Sequence, residues 1–167
     1  MFFRAFFAVP PMSTSEKVPT NALYGLLSMT IKLLKDIQPD YMVFCQDRKE
    51  PSFRIDLYKE YKANRTEMPE DLAPQIPYIH KLVDILGIPQ INKKGFEADD
   101  IIGTLTEFGK SKGWEVVIVS GDKDFAQLID SHVIMYDTMK NKIYDEQESW
   151  ISGGFGKSIY RLFSIDR

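Results

Sequence analysis

The run Glu115-Val116-Val117-Ile118-Val119-Ser120 is the segment that most restricts what this chain can fold into. It is short, apolar and β-branched, and it reads as a buried strand. Acidic residues stand on both sides of it in sequence: Glu97-Ala98-Asp99-Asp100 before, and Gly121-Asp122-Lys123-Asp124 after. A strand there gathers five carboxylates at one edge of a small sheet. Like charges held that close repel unless protons or cations neutralise them. Carboxylates offer hard oxygen donors, so the expected neutraliser is Mg²⁺ or Mn²⁺.

The neighbouring segments supply the rest of such a sheet. Pro19-Thr20-Asn21 opens a helix running to about Gln38, with Thr20 or Asn21 as cap and Leu23, Leu26, Leu27, Ile31 and Leu34 at helical spacing. Tyr41 to Gln46 then reads as a strand leading to Asp47, and Pro69 starts a helix that ends near Gly87. A short strand at Pro89 to Ile91 precedes a helix from about Glu97 to Lys112, whose Ile101, Leu105 and Phe108 are expected to face inward. A short helix at Lys123 to Leu128 and two short strands, near 133–136 and 142–144, follow. Strands alternating with helices predict an α/β domain with a mostly parallel sheet. Sites in such sheets form at the carboxyl ends of strands, where Asp47, the Glu97 group and Asp122 all fall.

Charge adds a second constraint. The 167 residues carry a formal net charge of −3, which excludes a uniformly basic nucleic-acid coat. Yet Arg48, Lys49, Arg54, Lys59, Lys62 and Arg65 stand against only Glu50, Asp56 and Glu60, leaving 48–65 at +3. A positive segment beside an acidic edge suits an anionic substrate whose reacting end meets metal ions. The interleaved Tyr58 and Tyr61 favour nucleic acid, because cations hold phosphates while an aromatic ring stacks on an unpaired base. The single cysteine, Cys45, rules out an internal disulfide and points to a reducing, cytoplasmic setting. No stretch is long enough to span a membrane. Phe2 to Phe7 are read as core residues rather than as a targeting signal, since Arg4 interrupts them and Pro10-Pro11 follow.

Each of these features has a plainer reading. Glu97, Asp99 and Asp100 at a helix start compensate the helix dipole, worth about 0.3–1 kcal/mol per acid. Asp122 can cap the next helix, Asp124 can be a first-turn acid, and Asp47 can be a solvated strand-end acid. Lys59, Lys62 and Arg65 can be a solvated face. His80 and His132 have no partner at ligand spacing, and no serine or cysteine has an evident activating base.

Six blocks taken in order carry a family resemblance: Arg4-Ala5-Phe6-Phe7, Pro19-Thr20-Asn21-Ala22-x-Tyr24-Gly25, Phe53-Arg54, Tyr58-Lys59-x-Tyr61-Lys62-x-x-Arg65, Glu97-Ala98-Asp99-Asp100-Ile101-Ile102-Gly103-Thr104 and Ser120-Gly121-Asp122-Lys123-Asp124. Together they resemble the 5′→3′ exonuclease domain of bacterial DNA polymerase I, in the flap endonuclease group. The resemblance implies a PIN-like three-layer α/β domain over residues 1–148, with a helical arch at about 48–68. It implies two divalent metals held by Asp47, Glu97, Asp99, Asp100, Asp122 and Asp124, and hydrolysis of DNA near a 5′ single-stranded end or flap. Lys62 and Arg65 would grip the scissile phosphate, with Arg4, Arg54, Lys59 and Tyr61 also contacting DNA. It further implies a bacterial, nucleoid-associated setting.

The resemblance is incomplete at both ends. The family's first strand, which ends in a metal-site aspartate, is expected to be missing, as is a downstream Gly-Asp-x-x-Asp-Asn motif. Residues 149–167 match neither that motif nor the helix-hairpin-helix beyond it. Codons for Tyr160 to Ser164 can, read one base on, encode Ile-Asp-Tyr-Leu-Ala, so a frameshifted or truncated frame is expected. Impaired nuclease activity follows as an expectation, with a noncatalytic DNA-binding remnant as the alternative and a phosphotransfer domain ranked lower.

Overall fold

The computed structural model describes residues 2–48, 50–61 and 67–146, together with the backbone of strand 161–165. Its helices are α1 (Phe2–Ala8), α2 (Asn21–Ile37), α3 (Phe53–Leu57), α4 (Ile76–Ile85) and α5 (Ala98–Ser111). Its strands are β1 (Phe44–Cys45), β2 (Gln90–Ile91), β3 (Glu115–Val119), β4 (Val133–Asp137), β5 (Lys142–Tyr144) and β6 (Arg161–Ile165). The segments Ala73–Gln75 and Lys123–Leu128 are 3₁₀ turns rather than α-helix.

β3 forms as expected and lies inside the larger sheet, whose order is β5-β4-β3-β6. It pairs in parallel with β4, Val116 opposite Val133, and with β6, Glu115 opposite Arg161. β5 closes the far side antiparallel to β4. β1 and β2 make a separate parallel pair, and β6 lies against β1 as well as β3. No strand was expected within 149–167, and β6 is the departure. A short segment of mixed polarity carries little periodic signal, and its place in the sheet is set by pairing across 46 residues.

Alternation of side chains along the strands divides the core in two. Phe44, Val117, Val119 and Tyr136 pack with Ala5, Leu26, Leu33, Ile79 and Val83, under α1, α2 and α4. Cys45, Val116, Ile118, Val133 and Met135 pack with Ala98, Ile101 and Ile102, under α5. The result is helix, sheet, helix, the three-layer arrangement expected of the sequence. All four apolar residues of β3 are buried. Their burial contributes about 6–12 kcal/mol before chain entropy is subtracted.

Helix faces depart from expectation in detail. On α2 the buried positions are Asn21, Ala22, Gly25, Leu26, Thr30, Leu33 and Ile37, whereas Ile31 and Leu34 are each 42% exposed. The apolar stripe is broader than the buried one, and tertiary packing selects which part of it turns inward. Phe108 of α5 is 49% exposed and packs edge-on against Trp114 instead of entering the core. In α1 only Ala5 is fully buried; Phe2 and Phe6 pack partly, and Phe7 is exposed. Gly25 explains the close seat of α1, since a Cβ there would lie 2.5 Å from the Ala5 carbonyl oxygen.

The α2 N-terminus corrects a local expectation. Thr20 occupies the cap position but its side chain makes no capping bond. Instead Gln75 Oε1 accepts from the backbone N–H groups of Ala22 (2.9 Å) and Leu23 (3.2 Å). Gln75 Nε2 donates to Asn21 Oδ1 at 3.0 Å, and Asn21 Nδ2 donates to the Phe6 carbonyl at 2.8 Å. A buried glutamine from a later helix thus satisfies donors that a local side chain leaves open. Among the described residues, no helix is long and apolar enough to cross a membrane.

Candidate metal and nucleic-acid site

Two acidic groups sit where strands end. Asp47 follows β1 by two residues, and its Oδ1 accepts the Ala98 backbone N–H at 2.7 Å. That bond draws the end of β1 onto the first turn of α5, so Asp47, Glu97, Asp99 and Asp100 share one edge. Asp100 Oδ2 accepts from the Glu97 backbone N–H at 2.9 Å, the return half of a capping box. The helix-start reading of these acids is therefore real, and a ligand role has to coexist with it.

Residues 52–61 fold back over this edge. Glu97 is only 7% exposed; its Oε1 accepts from Ser52 Oγ (2.9 Å) and its Oε2 from the Tyr61 hydroxyl (3.1 Å). Arg54 donates to both Asp100 oxygens at 2.7 Å each, with its Nη1 also 4.0 Å from Glu97 Oε2. The paired fork holds the guanidinium above its ordinary pKa, with the Asp100 hydrogen bonds as the main cause. Arg54 also stacks on the Phe53 ring, 4.7 Å from its centroid. Lys59 is exposed, while Lys62 and Arg65 lie outside the described residues.

The second group follows β3. Asp122 Oδ1 accepts the Asp124 backbone N–H at 3.0 Å, and Ser120 Oγ accepts the Asp122 N–H at 3.0 Å. Both carboxylates are exposed. Asp122 does cap the following turn, as its plainer reading had it. Arg4 lies over Gly121, where an added Cβ would fall on its guanidinium. That guanidinium donates through Nη2 to both oxygens of Asp137, at 3.0 Å each.

The donors are all hard oxygens, which suits a divalent cation such as Mg²⁺ or Mn²⁺. Their spacing is another matter: among the described residues, no three acidic, histidine or cysteine side chains are grouped closely enough to hold a metal. Sequence reading missed Ser52 and Asp137. Ser52 falls in a polar stretch, and its signal is a buried hydroxyl facing an acid. Asp137 ends β4, and its partner stands 133 positions away.

The sequence profile described as 5′-3′ exonuclease, N-terminal resolvase-like domain, matches residues 1–153. A DNA polymerase I of Caldicellulosiruptor bescii is 42% identical over 166 residues, covering 99% of this chain and 18% of the relative. A 5′-3′ exonuclease of Aquifex aeolicus is 39% identical over 145 residues, covering 87% of this chain and 50% of the relative. The chain therefore spans half or less of these relatives' lengths. Among solved structures, a bacteriophage T5 flap endonuclease in a pseudo-enzyme-product complex with DNA and metal ions superposes with a TM-score of 0.61 at 17% identity. That match covers 86% of this chain and 54% of the other. A T5 5′-exonuclease with zinc bound gives 0.60 at 19%, covering 86% and 53%. At such identities the likeness is one of fold, and the fold is the PIN-like α/β arrangement expected from the sequence. By its profile and its relatives, the chain belongs to the 5′-3′ exonuclease family, through the N-terminal resolvase-like domain.

Proposed function

We propose that this chain is a metal-dependent 5′ nuclease domain that hydrolyses DNA phosphodiester bonds at a 5′ single-stranded end or flap. The observation that carries the reading is the Asp47–Ala98 hydrogen bond, which brings a strand-end carboxylate onto the Glu97–Asp100 turn. Asp47, Glu97, Asp99 and Asp100 would hold one part of a divalent-cation site, and Asp122 and Asp124 the other. Bound Mg²⁺ or Mn²⁺ would supply a water of lowered pKa and charge stabilisation at the leaving oxygen. The chain's own residues would bind and orient the strand. Lys62 and Arg65 would grip the scissile phosphate, Arg4 would meet it from α1, and Lys59, Arg54 and Tyr61 would contact the single strand. Arg54 would exchange its Asp100 fork for phosphate as a cation takes the carboxylate.

A flap-substrate assay with Mg²⁺ or Mn²⁺ tests this. Weak cleavage is expected, and Asp122→Ala or Glu97→Ala should each abolish it. Cleavage that survives both substitutions sinks the reading. The alternative is a noncatalytic DNA-binding remnant. It is favoured by Arg54 and Tyr61 occupying Asp100 and Glu97, and by the lack of a three-carboxylate grouping among the described residues. It predicts salt-sensitive binding without cleavage.

A further inference from the structure

Asp137 ends β4 with its side chain 1% exposed, the most deeply buried carboxylate for which the sequence offered no role. Its Oδ1 accepts from the backbone N–H groups of Met139 (3.0 Å) and Lys140 (3.2 Å), which organises the turn into β5. Lys140 Nζ stands 3.8 Å from Oδ2. The same carboxylate also takes both bonds from Arg4 Nη2. Arg4 is 27% exposed, and its Nη1 and Nε have no partner among the described residues. The guanidinium covers Gly121, the residue between the end of β3 and Asp122.

We propose that Asp137 is a positioning residue for Arg4: it holds the guanidinium over Gly121, so that a DNA phosphate reaching the Asp122 edge meets a cation already in place. An unrestrained arginine has to give up rotamer freedom when it takes a phosphate. A guanidinium tied at one nitrogen to a buried carboxylate has given up most of it beforehand, and keeps donors free for the ligand. Gly121 is part of the device, because any side chain there would displace the guanidinium. The inference rests on the proposal that this edge binds DNA.

The test is a double-mutant cycle on binding of a 5′-tailed duplex across a salt series. Arg4→Ala should weaken binding several-fold and reduce the log–log salt slope by about 0.9, one phosphate contact. Asp137→Asn keeps an oxygen for the turn but loses the charge; it should weaken binding in the wild-type background and do nothing further in Arg4→Ala. Gly121→Ala should reproduce the loss and also lower the thermal midpoint, since displacing the guanidinium leaves the buried Asp137 carboxylate without its main partner, so its binding is measured well below that midpoint. Equal effects of Asp137→Asn in both backgrounds would overturn the proposal. If Asp137→Asn does not fold, Gly121→Ala decides, and undiminished binding by it overturns the proposal. Wild-type binding with this cycle intact but no cleavage in Mg²⁺ removes the nuclease reading and leaves the positioning role standing. Absence of binding by the wild type removes both.

Discussion

Arg54 is the residue on which the character of the acidic edge turns. Its fork neutralises Asp100 and approaches Glu97, doing for these carboxylates what a divalent cation would do. Arg54→Ala should therefore tighten Mn²⁺ binding several-fold while weakening DNA binding, read by calorimetric titration and by a DNA-binding isotherm. Looser Mn²⁺ binding in that variant would show that the arginine supports the site instead of competing for it. At this scale the sequence was informative about identity and poor about pairing. Glu97, Asp100 and Arg54 were each singled out from it, yet the contacts of Arg54 with the two acids span 43 to 46 positions and leave no periodic trace. Asp130 illustrates a simpler pair: the Lys110 ammonium, followed by the His132 backbone N–H, holds its carboxyl below the ordinary 3.8. Its contribution to stability is present above 3.8 and is lost as pH falls through the depressed folded value. A carboxyl-carbon NMR titration should place its midpoint below 3.8, and a midpoint at or above that value would contradict the pairing.

Among the elements, α5 and β3 were legible almost to the residue, because a buried β-branched run and an acid-capped amphipathic helix each announce themselves locally. α2 was legible in extent but not in facing. Its register is chosen by Gly25 meeting Ala5 and by Gln75 meeting the first turn, and both partners lie elsewhere in the chain. Gln75→Ala leaves the Ala22 and Leu23 donors unsatisfied and should cost about 1–3 kcal/mol. Gln75→Glu keeps the acceptor but turns the Nε2 donor into a second oxygen facing Asn21 Oδ1 and the Asp71 carbonyl in a buried place, so it should cost at least as much. Denaturant unfolding of the two variants and the wild type checks this, and wild-type stability of Gln75→Ala would show that the cap is dispensable. β1 shrank from the expected six residues to two, since a strand is only as long as its partner allows, and β2 also has two.

For the molecule as a whole, the sequence specified the class of sheet. It did not specify which segment lies between β1 and β3. That position belongs to β6, paired along five residues with β3 and lying against β1. A strand held on both sides should be part of the cooperative unit. Phe163→Pro removes an amide from that strand and should lower the single calorimetric transition of the full chain by several degrees. A variant that melts at the wild-type temperature would place β6 outside the unit.

The position of β6 also has a consequence for synthesis. At roughly 5–20 residues per second, Arg161–Ile165 leaves the ribosome roughly two to nine seconds after β3 does. Until then β3 has β4 on one side and an open row of amides and carbonyls on the other. The nascent chain therefore carries its most apolar strand half-paired for far longer than a hairpin needs to form, an interval in which that strand is open to chaperones and to neighbouring chains.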